Sequence, residues 1–274
     1  EKQLKDNFVI LRGKDRRDII QRGLNSLAGQ VGGVYMKDED LLDEVVNIVE
    51  YPTVLVGDID QSYLSLPNEV ITTPMKDHQR YFPILDDKNK LLPYFLLVRN
   101  GDDYKSENVI EGNKKVLVAR LEDAKFFYDI DASKPLESYL PELDKLVFFE
   151  GLGTMAQKTA RLVDLSERYQ KELGLGDDII EDAKRAAKLS KADLVTKMVV
   201  EFTELQGTMG AIYAQNSGEN QRVAEAIKEQ YLPKGAGSDL PKSVTGILLS
   251  IADKMDSIVG LYAIEKYVTG SKDP

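Results

Sequence analysis

The chain of 274 residues contains no cysteine, no tryptophan and a single histidine, His78. The lack of cysteine excludes disulfide bonds and thiolate metal sites, and it is compatible with a reducing compartment. A lone histidine excludes every metal centre that needs two imidazole ligands, and it leaves no Ser-His-Asp or Cys-His arrangement in the region after it. The sequence also lacks an apolar run near the ~20 residues of a membrane-spanning helix. We therefore expect no membrane association.

Acidic residues outnumber basic ones, which gives a formal net charge of −10 at pH 7 and an isoelectric point near 4.9. A globally acidic protein repels nucleic acid, so any contact with RNA must use a local basic surface. Glycine-rich stretches occur, such as residues 151–155, 207–210 and 235–238. None of them follows a strand and ends in Lys-Ser/Thr, so no phosphate-binding loop is predicted.

Hydrophobic periodicity predicts mixed secondary structure in the first half of the chain. The predicted antiparallel strand pair is 81–85 with 92–100, joined by the polar loop DDKNK. Residues 66–79 are predicted to become helical after Pro67, a favoured residue in a first helical turn. The remaining predictions here are helices at 8–29, 37–50 and 105–130 and a strand at 53–59.

No strand pattern is found after about residue 135, and the second half is predicted to be helical. Its predicted helices are 136–148, 155–173, 177–188, 190–213, 218–230 and 241–265. The fold class is therefore predicted as α+β. A mixed α/β module with antiparallel strands covers 1–135 and an all-helical domain covers 136–274, with the boundary near 131–151.

Four blocks of the sequence carry a resemblance to a known family. They are MKDHQRYFPILDDKNKLLPYFLLVRN (75–100), EGLGTMAQKTARL (150–162), LSKADLVTKMVVEFTELQGTMGAIYA (189–214) and LPKSVTGILLSIADKMDSIVGLYAIEKYVTGSKDP (240–274). In collinear order these blocks resemble the β subunit of the bacterial two-subunit glycyl-tRNA synthetase. The sequence opens without an initiator methionine and stops without a helix end signal. We therefore expect it to be an internal fragment of a longer subunit.

The resemblance implies a part of an aminoacyl-tRNA synthetase that is not itself catalytic. In the family, two α and two β subunits form a heterotetramer in the cytoplasm. The α subunit activates glycine with ATP and Mg²⁺, and the β subunit supports transfer to tRNA(Gly) and contacts that tRNA. The expected partners are thus the α subunit and tRNA(Gly). No catalytic residue and no cofactor are expected in this fragment.

Two groups of residues are candidates for contact with tRNA, because their side chains can pair with phosphate or with base edges. The first is the string Lys76, Asp77, His78, Gln79 and Arg80, whose alternative role is a structural turn between a helix and a strand. The second is basic. It consists of Lys184, Arg185, Lys188 and Lys191, with Lys197 nearby and with Lys158, Arg161 and Arg168 upstream. Its alternative role is a solvated helix face held by salt bridges to neighbouring acidic residues.

The resemblance also implies that the helical domain is similar to the HD superfamily of metal-dependent phosphohydrolases. IADKMD (251–256) is similar to the last motif of that superfamily, which places Asp253 at the final metal ligand. EFTELQG (201–207) places Thr203 and Glu204 where the superfamily has its His-Asp pair. Because no histidine occurs in this half, we expect a degenerate site without metal. A buried Asp253 would then accept hydrogen bonds from Thr203 or Lys254.

Two alternative functions remain open at this point. The first is an HD-type phosphohydrolase that uses Asp193, Glu204 and Asp253, although it would lack the imidazole ligands. The second is an interaction scaffold whose helical half docks another subunit without touching RNA. Burial of the basic segment 184–197 would favour the scaffold.

Overall fold

A computed structural model describes residues 2–266 of the chain. It divides into two compact units, residues 1–126 and residues 127–274. The division falls inside a long helix. The predicted domain limits, 1–135 and 136–274, remain a prediction, because compactness alone does not show that either part folds independently. The predicted helical domain also includes residues 267–274, which lie outside the described part.

The first unit combines helices with one antiparallel sheet. In chain order its elements are α1 (Lys2–Lys5), α2 (Gly13–Gln30), β1 (Val34–Tyr35), α3 (Glu39–Ile48), β2 (Pro52–Asp58), a 3₁₀ segment (Gln61–Ser65), α4 (Asn68–Thr73), a π-helical turn (Pro74–His78), β3 (Phe82–Leu85), β4 (Leu91–Asn100) and α5 (Ser106–Asp131).

The sheet has the strand order β1-β3-β4-β2, and every neighbouring pair is antiparallel. Phe82 pairs with Leu96 in the hairpin of β3 and β4, which confirms the antiparallel pair predicted from the sequence. Asp86 closes the loop of this hairpin, because its carboxylate accepts the backbone N–H groups of Lys88 and Lys90. The predicted strand at 53–59 is confirmed as β2, which pairs with β4 along its whole length.

The core of the first unit lies between the sheet and helices α2 and α3. Ile20 and Leu24 of α2 and Val45 of α3 are buried there with Phe82 and Leu96 of the sheet. The apolar residues of α2 recur at helical spacing, so one stripe of the helix faces the sheet.

The predicted helix 8–29 is wrong at its start, because α2 begins only at Gly13. The Arg16 guanidinium donates to the carbonyl oxygens of Ile10, Leu11 and Val46. Carbonyls that are bonded to a side chain in this way are held outside the helical hydrogen-bond ladder.

The predicted helical stretch 66–79 is confirmed only in part. Helix α4 runs from Asn68 to Thr73, and the chain then widens into the π-helical turn at Pro74–His78. Proline lacks a backbone N–H and displaces the carbonyl one turn before it, so Pro74 favours this local widening. The turn ends before Arg80, which has a φ of 58°.

The second unit is helical apart from one short hairpin. In chain order its elements after α5 are a 3₁₀ segment (Leu136–Lys145), β5 (Val147–Phe149), β6 (Gly153–Thr154), α6 (Met155–Leu173), α7 (Asp177–Leu189), a 3₁₀ segment (Ala192–Val195), α8 (Lys197–Glu201), a 3₁₀ turn (Thr203–Leu205), α9 (Thr208–Asn216), α10 (Gln221–Glu229) and α11 (Val244–Ala263).

Two predictions for this unit are wrong. The first is the absence of strands after residue 135, because β5 and β6 form an antiparallel pair. Gly151, in the connection between these strands, and Gly153, the first residue of β6, both have positive φ, which glycine adopts without steric cost. The second is the single helix at 190–213, which is divided into two 3₁₀ segments and the helices α8 and α9.

Candidate functional site

The string Lys76–Arg80 lies at the end of the π-helical turn in the first unit. Lys76 Nζ is 2.5 Å from Asp38 Oδ2, and Arg80 Nε donates to Glu44 Oε1 at 2.8 Å. His78 and Gln79 are half-buried. A cavity of about 400 Å³ adjoins the string; its lining residues are Asp38, Asp40, Leu41, Glu44, Lys76, Asp77 and Arg80. Four of these seven residues are acidic, so a phosphate group placed here meets strong repulsion.

The Lys76–Asp38 pair is a structural contact as well as an ionic one. Burial alone would raise the pKa of Asp38, but the hydrogen bonds from Lys76 and from the backbone N–H of Leu41 hold that pKa below its ordinary value. The same carboxylate caps the N-terminus of α3 through Leu41 N at 3.0 Å. Lys76 thus helps to keep a helix cap ionised.

The basic residues on α7 form a salt-bridge network in the second unit. Arg185 Nη2 donates to Glu219 at 2.6 Å and to Glu137 at 2.9 Å, and Lys188 Nζ donates to Glu137 at 2.7 Å. Lys184 lies 3.7 Å from Glu167 and from Glu181. Arg185 and then Lys188 lower the pKa of Glu137 to about 2, so this carboxylate is ionised throughout the neutral range.

The other predicted basic residues lie in different surroundings. Lys191 lies beyond the end of α7 and is buried. The prediction that helical spacing places it on the same exposed surface as Lys188 is therefore wrong. Arg168 and Lys197 are exposed. Lys158 is buried and Arg161 is half-buried. Of the basic cluster predicted on one helix, Lys184, Arg185 and Lys188 lie on α7 and reach the surface. We call these three residues the α7 surface.

Asp253, Thr203 and Glu204 are not equivalent in the structure. Thr203 and Glu204 are both exposed, and the Thr203 hydroxyl lies 3.4 Å from Glu204 Oε2. Asp253 is largely buried, with 14% of its side chain exposed. The expected donors to Asp253, Thr203 or Lys254, are wrong. Lys254 Nζ instead donates to the carbonyl oxygens of Gln230 and Leu232 and to the Ser250 hydroxyl.

Asp253 belongs to a buried charge cluster, which we define as Lys158, Arg161, Lys191, Asp253 and Asp256. Lys158 Nζ is 2.9 Å from Asp253 Oδ1 and 3.1 Å from Asp256 Oδ2. Lys191 Nζ donates to Asp253 Oδ2 at 3.0 Å. Arg161 donates from Nε to Asp256 Oδ1 at 2.6 Å and from Nη2 to Asp256 Oδ2 at 3.1 Å. The cluster therefore ties α6, the end of α7 and α11 together.

The cluster keeps both carboxylates ionised although they are buried. Burial alone would raise the pKa of Asp253, but Lys191 and Lys158 hold it below its ordinary value. The pKa of Asp256 is lowered in the same way, against the effect of burial, by Arg161 and Lys158. Burial of a charge is tolerated only when partners replace water at close range, and here three cations do so.

Sequence reasoning missed the role of Lys158 and Lys191, although one signal was available. On α6, Lys158 falls four residues before Leu162, a buried position of the apolar stripe. A lysine at such a position is directed toward the core, where it needs a carboxylate partner. The i, i+3 spacing of Lys158 and Arg161 instead predicts a basic surface, and the burial of Lys158 contradicts that prediction.

The donor set does not fit the metal site of an HD-type enzyme. Within residues 2–266 no group of three or more His, Cys, Asp and Glu side chains is arranged to hold a metal ion. The two carboxylates that converge, Asp253 and Asp256, face ammonium and guanidinium groups instead. No helix in the described part of the chain is long and apolar enough to cross a membrane.

Comparison with known proteins gives a consistent result along the whole sequence. The model of the family described as "Glycyl-tRNA synthetase beta subunit" matches residues 1–274. Relatives named "Glycine--tRNA ligase beta subunit" include those of Clostridioides difficile strain 630 (53% identical over 272 residues), Desulfitobacterium hafniense DCB-2 (49% over 274) and Bacillus subtilis strain 168 (45% over 274). These alignments cover 99–100% of this chain and 39–40% of each relative. The chain thus spans about two fifths of the length of the curated relatives it matches.

Proposed function

Because the chain belongs to the glycyl-tRNA synthetase β-subunit family, we propose that it forms part of a glycine–tRNA ligase and supports the tRNA side of that reaction. The observation that carries the proposal is the match of the family model to all 274 residues. The fold is compatible with a supporting role, because the charged residues described above are engaged in ion pairs that hold elements together. No residue of this chain is assigned to glycine activation.

The proposed division of labour has three parts. The α subunit binds ATP and Mg²⁺ and activates glycine, so this chain needs no cofactor of its own. The β subunit, of which this chain is a portion, binds tRNA(Gly) for the transfer step. Two copies of each subunit assemble into a cytoplasmic heterotetramer.

Within this chain we favour the α7 surface over the Lys76–Arg80 string as a tRNA contact. The α7 cations are exposed to between 32% and 51%. Lys184 and Lys188 pair with carboxylates at the protein surface, and such pairs contribute little to stability, roughly 0–1 kcal/mol each, so phosphate groups can replace these carboxylates at small cost. Arg185 also binds Glu219, whose side chain is only 15% exposed. At the Lys76–Arg80 string, phosphate would have to replace Asp38, the carboxylate that caps α3, as the partner of Lys76. The carboxylates around the string would also repel the phosphate. Lys191 is not part of the proposed contact, because its side chain is buried.

The test is the double substitution Lys184→Glu with Lys188→Glu in the complete two-subunit enzyme. We expect weaker tRNA binding and slower aminoacylation, and a slope of log K against log salt that falls by up to roughly two units. ATP-dependent glycine activation should remain unchanged. The control, Lys145→Glu with Lys234→Glu, changes the net charge equally at two exposed lysines that are not part of α7.

Two outcomes of this assay would contradict the proposal. If both double variants weaken binding equally, net charge alone is responsible. His78→Ala with Arg80→Ala then tests the other candidate surface. If none of these changes alters aminoacylation or its salt dependence while the fold stays intact, neither surface contacts tRNA and the interaction scaffold becomes the better interpretation.

A second candidate function is docking of the α subunit, and α11 supplies the observation in its favour. Ile247, Ile251, Met255 and Ile258 follow each other at helical spacing and are 38–49% exposed. Beside them lies an open cavity of about 530 Å³; its lining includes Leu152, Leu165, Tyr169, Met255 and Val259. An exposed apolar stripe of this kind is typical of a protein interface. Ile251→Glu should then impair assembly with the α subunit without affecting the fold.

By contrast, nothing supports an HD-type phosphohydrolase.

A further inference from the structure

The open cavity of about 530 Å³ beside α11 is a groove between two helix faces. Arg161, Leu165 and Arg168 line it from α6, and their spacing of three or four residues places them on one face of that helix. Met255 and Val259 line it from α11 at the same spacing. We call this feature the α6–α11 groove. Its volume lies within the roughly 300–1,000 Å³ that is typical of preformed binding pockets.

Leu152, in the connection between β5 and β6, also lines the groove and is held against both helices. Gly260 of α11 has no side chain, and a Cβ added there would lie 3.0 Å from Leu152 Cδ1. From α6, Arg161 Nη1 donates to the carbonyl oxygen of Leu152 at 3.3 Å. This wall of the groove is therefore in place without a partner.

The apolar part of the groove continues into the exposed stripe of α11. Met255 belongs to both, and Ile251 and Ile258 extend the apolar surface along the helix. Protein partners typically cover a continuous apolar surface of this kind. RNA would instead bring phosphate groups against aliphatic side chains, which cannot replace the water around a charge. The groove therefore fits a protein segment.

The charge beside the groove is positive, although the chain as a whole is acidic. The buried charge cluster contains three cations and two carboxylates, so it carries one positive charge in excess. Its half-buried member, Arg161, reaches the groove. Arg168 and Asp164, which are both exposed, add one charge of each sign to the lining, and the excess remains. An anionic group in the groove is thus attracted.

We infer that the α6–α11 groove receives an amphipathic helix of the α subunit, which packs an apolar side chain against Leu165 and Val259 and places a carboxylate beside Arg161 and Arg168. A helix that lays its apolar face into a groove is a recurring mode of recognition. The apolar contact supplies affinity, and the carboxylate fixes the position of the helix along the groove. This inference rests on the proposed docking of the α subunit at α11 and names the chemistry of its contact.

The experiment titrates the α subunit into the complete β subunit and measures the dissociation constant at several salt concentrations. Arg168→Glu replaces attraction of the carboxylate by repulsion, so assembly should weaken on the order of tenfold. Its affinity should also fall less steeply with added salt than that of the original protein. The control is Arg22→Glu, at an exposed arginine of α2, which changes the net charge equally and should leave assembly unchanged.

Val259→Ser tests the apolar part of the same contact. It should weaken assembly by about three- to tenfold, because less apolar surface leaves water. The salt dependence should stay as it is in the original protein, since no charge changes. The control is Val200→Ser, at an exposed valine of α8.

Ile251→Glu separates this inference from the wider proposal of docking at α11. If Ile251→Glu impairs assembly while Arg168→Glu and Val259→Ser behave like their controls, the α subunit covers the stripe but not the groove, and the inference is overturned. If none of the three variants impairs assembly, the docking proposal fails as well.

Two further measurements test the other possible occupants. Weaker tRNA binding by Arg168→Glu with unchanged assembly would assign the groove to RNA. A loss of several degrees in the Tm of the isolated β subunit, in both Arg168→Glu and Val259→Ser, would show that another segment of the β subunit fills the groove. Either result overturns the inference, which expects both properties to remain unchanged.

Discussion

At the scale of single residues, buried carboxylates determine how the second unit is held together. Asp131, the last residue of α5, is 1% exposed and accepts hydrogen bonds from four donors. The donors are the backbone N–H groups of Lys197 (3.1 Å) and Met198 (2.8 Å) and the hydroxyls of Tyr139 (3.2 Å) and Tyr213 (3.3 Å). Asp131 therefore caps α8 from a position 66 residues earlier in the chain.

Asp131→Ala should reduce the free energy of unfolding by about 3–5 kcal/mol, because it leaves two buried N–H groups and two tyrosine hydroxyls without their acceptor. Urea unfolding monitored by circular dichroism measures this loss. The control is Asp144→Ala, at an exposed aspartate of the same unit, which should change stability by no more than about 0.5 kcal/mol. Similar losses for the two variants would show that Asp131 is not a structural cap.

Asp193 behaves differently, because its burial is compensated only in part. Its Oδ2 accepts the backbone N–H groups of Gly207 (2.6 Å) and Gly210 (3.0 Å), whereas its buried Oδ1 has no hydrogen-bond partner in the described part of the chain. Burial raises the pKa of Asp193 to about 6, although these hydrogen bonds and Lys191 oppose the rise.

This raised pKa predicts a pH dependence of stability. The folded pKa lies above the unfolded value, so the contribution of Asp193 is fully present below about pH 4 and is lost as the pH rises through about 6. The loss should be on the order of 3 kcal/mol. This loss is isolated by comparing urea unfolding of the original chain and of the Asp193→Asn variant at pH 4, 5, 6 and 7, because the other carboxylates titrate equally in the two proteins. Parallel pH profiles would contradict the raised pKa.

The buried residues also show the limit of prediction from sequence at this scale. The sequence singled out Asp253, Lys158 and Lys191, but it assigned the two lysines to a basic surface. Lysine is rarely buried, so surface exposure is the default expectation for it. Its burial here depends on carboxylates about 60 to 100 positions away along the chain. No local pattern encodes such a pairing.

At the scale of elements, prediction succeeded where local signals determine the structure. Helix α6 begins at Met155 after Thr154, whose side chain forms a reciprocal capping box with Gln157, and it ends at Leu173, before Gly174 in the left-handed conformation. These are signals that can be read within one element, and the predicted helix 155–173 is confirmed. The predicted helix 190–213 is wrong because its breaks depend on tertiary contacts, such as the cap from Asp131.

Gly207, the residue before α9, is one of these breaks. It has a φ of 76°, and a Cβ added there would lie 2.6 Å from the ring of Tyr231. Gly218, which follows α9, has a φ of 83° and nothing within 4 Å of such a Cβ. An alanine at Gly207, with φ 76° and ψ −42°, would therefore meet an unfavourable backbone conformation and a steric overlap, whereas an alanine at Gly218 would meet an unfavourable φ alone.

Gly218→Ala should cost roughly 1–2 kcal/mol of stability, the strain of a left-handed alanine. Gly207→Ala should cost a further 1–3 kcal/mol or so, because Tyr231 must move within a packed core. Chemical unfolding of both variants measures the difference. Equal losses would show that the Tyr231 ring yields freely and that packing against Gly207 does not restrict the turn.

At the scale of the whole molecule, the net charge of −10 opposes any contact with RNA. The sequence shows that the chain is acidic, and from this we predict that an RNA contact would need a local basic surface. It could not predict that every cation of the α7 surface is paired with a glutamate of the second unit. The availability of this surface therefore depends on carboxylates contributed by other elements.

Neutralising two of these carboxylates tests the α7 surface through an expected gain in affinity for tRNA. Glu137 and Glu219 together bind Arg185, and Glu137 also binds Lys188. In Glu137→Gln with Glu219→Gln, both cations lose their ionic partners and become available to phosphate. If tRNA uses the α7 surface, we expect the affinity of the 274-residue chain for tRNA to rise. The slope of log K against log salt should become steeper by up to roughly two units.

The matched control is Glu172→Gln with Glu225→Gln, which changes the net charge equally. Both of these glutamates are exposed, and neither is a partner of Lys184, Arg185 or Lys188 in the salt bridges described above. Filter binding at several salt concentrations compares the two double variants with the original chain. A gain of equal size in both variants would assign the effect to net charge alone. No gain in either would show that the α7 surface does not contact tRNA, because freeing its cations from their glutamates should then have made binding stronger.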